Sequence, residues 1–377
     1  MTITLVIRLS SLGDVAILIP TLYSVASKNP DDRFLLVTKK PLQPLFFNKP
    51  DNLEIFPVET KGRHKGFWGL LRTIRDINQI IKPFKNRNIA DLHAVIRSTI
   101  IDFFFKLKGA KIAVIDKERQ SQKALVRKKN KKFLPLKTSF RRYQEVFEKL
   151  GYDTESDVGG AYAEQGFENV IARAIARSNP LKENEKTKTW IGIAPFAKHQ
   201  GKIYPPEQME EVVRILNNRP TTKIFLFGGK EESLLLEEWT KKYEHVESVA
   251  GLMPFPDELS LMNRLDVMLS MDSANMHLAS LVNTPVVSVW GATHPYAGFY
   301  GYNQKPENAV QIGLECRPCS IFGDKPCWRA GALRTRARHA LPLQYACMTR
   351  ISPQMIVEKV LSVLASLPQK VSETPQP

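Results

Sequence analysis

Three short stretches hold residue types that could work on a phosphorylated substrate. The first is Arg8-Leu9-Ser10-Ser11-Leu12-Gly13-Asp14, which follows an apolar run over 3–7 and opens a helical pattern reaching about Ser27. Gly13 permits a tight turn there and Asp14 supplies a carboxylate. An acidic residue at a helix start also stabilises the helix unaided, so a purely structural role stands beside the functional one. The second stretch, residues 195–205, carries Lys198 and Lys202 at the end of another apolar run. Two lysines so placed could grip a diphosphate or could simply decorate a basic surface loop. The third is Ser270-Met271-Asp272-Ser273-Ala274-Asn275-Met276-His277-Leu278-Ala279. Small residues at a helix start leave backbone N–H groups open to an anion, whereas Asp272 and Ser273 equally suit a helix N-cap. His277 could serve a ligand or sit as a satisfied helix residue.

These stretches acquire meaning from the elements around them. Short apolar runs at 3–7, 34–37, 53–56, 88–92 and 111–115 alternate with helical patterns, the signature of βαβ units and a parallel sheet. After a polar joint over 179–188 the pattern restarts. Residues 189–194, 222–227, 266–270 and 285–289 read as strands, with helices over 206–216, after Gly228-Gly229, and from about Asn275. The expectation is an α/β chain of two doubly wound, Rossmann-like domains, 1–180 and 181–352. A C-terminal helix follows over 353–367, and then a disordered tail over 368–377. Ligands of such sheets bind at the carboxyl ends of the strands, where all three stretches fall.

The 377 residues are 43% apolar and 24% charged, an ordinary composition for a soluble chain and unlike a disordered one. No run of 18 or more apolar residues occurs, which argues against a membrane-spanning helix. The apolar run over 15–22 lacks a basic flank and a cleavage site, so no signal peptide is read and a cytoplasmic location is expected. The formal charge of +16 is uneven: residues 61–142 contain 23 basic and 5 acidic side chains. Two clusters stand out, Lys61-Gly62-Arg63-His64-Lys65 and Arg127-Lys128-Lys129-Asn130-Lys131-Lys132. Such blocks suit phosphate, as nucleic acid or an anionic membrane face. Phe67, Trp68, Leu70 and Leu71, continued by Ile74, Ile77, Ile80 and Ile81 at helical spacing, favour the membrane. No nucleic-acid-binding motif accompanies them, and no nucleic-acid partner is expected.

Order and spacing of the three stretches resemble glycosyltransferase family 9, the ADP-heptose:lipopolysaccharide heptosyltransferases, over residues 2 to about 365. Ser10-Ser11-Leu12-Gly13-Asp14 followed by apolar residues and Pro20 is similar to the family's N-terminal signature. The C-terminal signature is matched by Asp272 to Leu278 with Thr284-Pro285-Val286 and Trp290-Gly291-Ala292-Thr293-His294-Pro295. Ser273-Ala274 stands where the family usually has Thr-Gly. Lys202-Ile203-Tyr204-Pro205 resembles its Lys-x-Trp-Pro, with Tyr for Trp.

The resemblance implies a GT-B architecture, with an acceptor-binding N-terminal domain and a sugar-nucleotide-binding C-terminal domain facing across a cleft. It implies inverting, metal-independent transfer of a heptose or related sugar from an ADP-sugar to a lipopolysaccharide core, with no further cofactor. Asp14 would be the general base. Lys198, Lys202, Asp272, His277 and the N–H groups at Ser273 and Ala274 would hold the donor. Glu232, with Glu231 as rival, would bind its ribose. Ser10, Ser11, Gly13 and Arg97 would meet the acceptor, a lipid A–core glycolipid. That substrate gives the basic segment a partner, the anionic inner face of the cytoplasmic membrane, where the protein would act peripherally. A GT-B transferase with another nucleotide sugar, and a non-catalytic binder of anionic lipid or nucleic acid, are the rival readings. The four cysteines, Cys316, Cys319, Cys327 and Cys347, permit a structural zinc site, reduced thiols or a disulfide. The basic insertion from Arg329 to Gln344 separates the last two and argues against four-way ligation.

Overall fold

A computed structural model describes residues 1–47, 49–154, 188–328 and 345–367. The polar joint (apart from Lys188), the insertion over 329–344 and the tail over 368–377 lie outside the described residues.

The first half builds from β1 (Thr2–Ile7), α1 (Leu12–Lys28), β2 (Arg33–Lys39), β3 (Leu53–Val58) and α2 (Gly66–Ile81). It continues with β4 (Asn86–Asp91), α3 (Ile96–Lys106), β5 (Lys111–Val114), α4 (Arg119–Leu125) and α5 (Ser139–Leu150). Its five strands are all parallel, in the order β3-β2-β1-β4-β5. The two faces of this sheet are covered differently. Leu70, Ile74, Ile77 and Ile81 of α2 and Ile101 and Phe105 of α3 pack on Ile3, Leu5, Ile7, Leu35 and Val37. The opposite face takes α1 and α5. Each Leu or Ile so buried contributes about 1.5–3 kcal/mol relative to exposure. The amphipathic pattern over 67–81 is therefore largely a sheet-packing pattern. Only Phe67, Trp68 and Leu71 are left outside.

The second half contains β6 (Thr189–Ala194), α6 (Pro206–Asn217), β7 (Thr222–Leu226), α7 (Ser233–Lys242), β8 (Val246–Ser248) and α8 (Phe255–Asn263). Then come β9 (Val267–Met271), α9 (Ala274–Leu281), β10 (Val286–Val289), β11 (Ala309–Val310), α10 (Ala346–Thr349) and α11 (Pro353–Ala365). The strand order β11-β10-β9-β6-β7-β8 is again wholly parallel and reverses direction between β6 and β9. The first sheet reverses between β1 and β4. These reversals open the crevices in which doubly wound sheets hold ligands. The two sheets face each other in the expected GT-B arrangement. One apolar cluster is shared between the halves, running from Val15, Leu18 and Leu22 of α1 to Met276 and Ala279 of α9 and on to Trp290.

A segment before α5 clasps the other half. Lys131 Nζ donates to the carbonyls of Glu315, Arg317 and Pro318 at 3.1, 2.7 and 3.0 Å. The Leu136 N–H donates to the Tyr296 carbonyl, and Phe133 packs on His294 and Tyr296. Lys128 lies 4.9 Å from the centre of the Trp328 ring. The second basic cluster is thus not simply a solvated block, since two of its lysines join the halves of the molecule.

Candidate active site

Both reversals place chemistry-bearing loops together. After β1, the chain turns through Ser10 and Ser11 into α1, putting Asp14 in the helix's first turn. Three contacts converge on its Oδ2: the Ser11 N–H at 2.9 Å, the Ser11 hydroxyl at 2.7 Å, and Arg8 Nη2 at 2.7 Å. Asp14 therefore does stabilise its helix start, as the structural reading allowed, while also lining a cavity of about 580 Å³. Burial alone would raise its carboxyl pKa. The Arg8 guanidinium and the Ser11 hydrogen bonds outweigh that and hold it below the usual carboxylate range. Arg8 is itself buried, donates to the Leu92 carbonyl at 2.5 Å and lies over the Tyr143 ring. The Tyr143 hydroxyl donates to the Asp14 carbonyl at 3.3 Å.

The cavity bridges the two halves. Ser10, Ser11, His93, Lys117, Arg119 and Arg142 line it from one side, and Phe322, Asp324 and Lys325 from the other. The excess of cations over carboxylates suits an anionic ligand.

The β6 and β9 loops form the second part of the site. Lys202 Nζ is 2.8 Å from Asp272 Oδ2, which also accepts the Thr293 hydroxyl at 2.7 Å. Gly323, at φ +75°, lets the Lys202 stem lie against its backbone; a Cβ there would stand 2.6 Å from Lys202 Cγ. Ser273 occupies the N-cap position of α9, but its side chain makes no capping bond; its Oγ lies 3.2 Å from Ser270 Oγ. The first N–H groups of α9 have no acceptors within the helix. His277 is buried, with Nδ1 lacking a partner, and burial pushes its pKa down to about 4, so it is neutral at physiological pH.

These two parts meet. Gly13 packs against His277 and the Ala274 backbone, and His277 lies within electrostatic reach of Asp14, Asp272 and Lys202 together. Ser10, Ser11, Gly13, Asp14, Lys202, Asp272, Ser273, Ala274 and His277 are thereby assembled about one contact. Other candidates stand apart. Lys198 is exposed. Glu232 Oε2 accepts the Gly229 N–H at 2.6 Å beyond β7. Arg97 donates to the His64 carbonyl at 3.2 Å and lines a separate open groove over α3. Arg8, Tyr143 and Thr293 join the site with no role that their sequence context alone assigns, although Arg8 heads the loop that carries Asp14.

All four cysteines are free thiols, Cys347 buried and the others half-buried. Burial pushes the Cys347 thiol up to about 12 and raises that of Cys319. Among the described residues no three His, Cys, Asp or Glu side chains are placed to hold a metal ion.

Comparison with known proteins decides the family. The model of "Glycosyltransferase family 9 (heptosyltransferase)" matches residues 86–325. The chain belongs to glycosyltransferase family 9. The match is narrower than the span of the sequence motifs, and solved structures share the fold over nearly the whole chain. Lipopolysaccharide heptosyltransferase 3 of Escherichia coli K12 is 21% identical over 287 residues, covering 74% of this chain and 80% of that protein. The structure of a family 9 glycosyltransferase from Veillonella parvula superposes with a TM-score of 0.68 at 19% identity, covering 97% of this chain and 98% of that one. The E. coli heptosyltransferase WaaC solved with ADP-2-deoxy-2-fluoro heptose gives 0.59 at 18% identity, covering 86% and 97%. In this family 9 glycosyltransferase the Tyr that replaces the family's Trp is structural: Tyr204 is fully buried, its hydroxyl donating to the Ile351 carbonyl at 2.8 Å.

Proposed function

We propose that this glycosyltransferase moves a heptose, or a closely related sugar, from an ADP-sugar to a lipopolysaccharide core acceptor with inversion at the anomeric carbon. One observation carries the reading: the loop that bears Asp14 and the loop that opens α9, each at its sheet's reversal, abut at Gly13 and His277. Asp14 takes the proton of the acceptor hydroxyl as that oxygen attacks the anomeric carbon. The bond to the diphosphate breaks on the opposite side, and its electron pair leaves with the diphosphate. A positioned base contributes about 10²–10⁴-fold. Lys202 and the N–H groups at the start of α9 meet the charge growing on the leaving group, a term of comparable size. Single displacement gives inversion, and no step in this scheme is assigned to a metal.

The relatives named above support the ADP-heptose donor and the core acceptor, the latter implying work at the inner face of the cytoplasmic membrane. Among the described residues no helix is long and apolar enough to cross a membrane. The Ser273-Ala274 pair differs from the family's usual residues where the donor phosphates would lie, so another nucleotide sugar is the second reading. Purified protein, incubated with ADP-heptose and a core acceptor, should release ADP and give a product of inverted anomeric configuration by NMR. Turnover no greater than that of Asp14→Asn would overturn the proposal. A thermal-shift series over nucleotide sugars separates the two donors, because ligand at about 100 times Kd adds roughly 2.7 kcal/mol.

A further inference from the structure

We infer that the start of α2 and the outer stripe of α3 form a docking face for an anionic lipid bilayer, from which the acceptor enters over the first turn of α3. The inference rests on the glycolipid acceptor proposed above. Ile96, Ile100, Phe103 and the C-capping Leu107 recur at intervals of four, three and four residues, so they share one side of α3. Ile96 is 82% exposed, Phe103 64% and Leu107 73%, while Ile101 and Phe105 on the other side are in the core. Arg97 bonds to the His64 carbonyl, which brings the starts of α2 and α3 side by side. Phe67 and Trp68, 63% and 73% exposed, add two further apolar side chains at the neighbouring start of α2. Single exposed apolar residues are commonplace, but a continuous stripe marks an interaction surface.

The surrounding charge selects the occupant. Lys65, Arg72, Arg75, Lys106 and Lys108 are all exposed around this face. Nearby acidic groups are engaged elsewhere: Asp76 pairs with Arg63 at 2.7 Å, and Asp102 is buried. An apolar centre with a cationic rim, including a tryptophan that favours the interfacial zone, matches an anionic membrane surface. A second copy of the chain would bring two cationic rims together, which is unfavourable.

The face also leads somewhere. An open groove lined by Ala94, Ile96, Arg97, Ile100 and Arg119 begins on the stripe, and Arg119 lines the Asp14 cavity as well. Arg97 and Arg119 would guide a phosphorylated head group from the bilayer to the base. This gives Arg97 a role on the acceptor's route rather than beside Asp14.

The test is cosedimentation of the full chain with phosphatidylcholine vesicles, with and without phosphatidylglycerol. Wild-type protein should bind only the anionic vesicles, with a blue shift in tryptophan emission. The double variant F103E/L107E alters exposed positions only, and its thermal melt should match wild type. It should partition about tenfold or more weakly. Its turnover on acceptor embedded in vesicles should fall, while turnover on an acceptor stripped of its acyl chains stays at the wild-type level. Asp14→Asn should bind vesicles like wild type. If that holds and no sugar is transferred by the unaltered protein, the docking face stands and the transferase reading falls. Undiminished binding by F103E/L107E, or no vesicle binding by wild type, would overturn the inference. So would a wild-type dimer in light scattering that this variant alone dissolves.

Discussion

A methyl group on Gly13 would stand 2.6 Å from Cδ2 of His277 and 3.6 Å from the Ala274 Cα. Glycine is thus required where the two helix starts meet, by proximity and not by backbone angle. In Gly13→Ala the extra carbon should cost about 1–3 kcal/mol, as overpacking does in a close-packed interior. The melting temperature and kcat should both fall. Adding His277→Ala removes the ring that is struck and should restore the melting temperature without restoring kcat. A single variant with wild-type melting and turnover would show that the helices can part freely.

The Lys202–Asp272 pair makes a lysine substitution a double injury. Asp272 is 3% exposed, and among the described residues loss of Lys202 leaves its carboxylate only the Thr293 hydroxyl. Lys202→Met should lower stability by about 3–5 kcal/mol, the usual cost of orphaning a buried charge. It should also lower kcat/KM by about 10²–10³. Combining it with Asp272→Asn should recover the melting temperature and leave kcat/KM low. Urea melts beside steady-state kinetics separate the two effects, and unchanged kcat/KM in Lys202→Met would remove the lysine from the site.

For Asp14 the pH dependence has a definite sign. Its carboxyl titrates below the ordinary aspartate value of about 3.9, held down by Arg8 and Ser11 against the effect of burial. Base activity is therefore present above that depressed value and lost only as pH falls through it. Arg8→Gln leaves the burial but removes the cation, so the acid limb of kcat/KM should move to higher pH. Profiles for both proteins check this, and an unmoved limb would mean that Arg8 does not set the proton affinity of the base.

Stability should respond to acid through histidine. Burial is the main cause that pushes His93, His277 and His294 down to about 4. An unfolded chain binds these protons near pH 6.5. Between those values the unfolded state holds more protons, so the native state loses stability as pH falls from 6.5 towards 4. His277→Gln should flatten part of that loss in melts between pH 7 and pH 4.5, and equal slopes would contradict it.

The sheets were legible because buried parallel strands read as uninterrupted apolar runs; residues 189–194 coincide with β6. The edge strands β8 and β11, three and two residues long, offer no such run. The site was legible as three loops, since strand ends and helix starts fix where loops point. Their partners were less visible. Arg8 acts through Asp14, six residues on, at a spacing that matches no local period. Lys131 meets carbonyls 184 to 187 residues away, so in the sequence its block of charge reads as a footprint for phosphate. The helical spacing over 67–81 was real, yet periodicity cannot tell a sheet from a bilayer as the thing a helix leans on.

The three carbonyls that hold the Lys131 ammonium belong to residues 315, 317 and 318, the stretch that carries Cys316 and runs up to Cys319. The clasp is therefore fastened to a loop with two thiols in it. Any change in the path of that backbone moves the oxygens away from the ammonium and loosens one of several ties between the halves, beside the Leu136–Tyr296 bond, the Phe133 packing and the contact of α1 with α9. One tie across the cleft thus depends, through a single ammonium, on the shape of a cysteine-bearing loop.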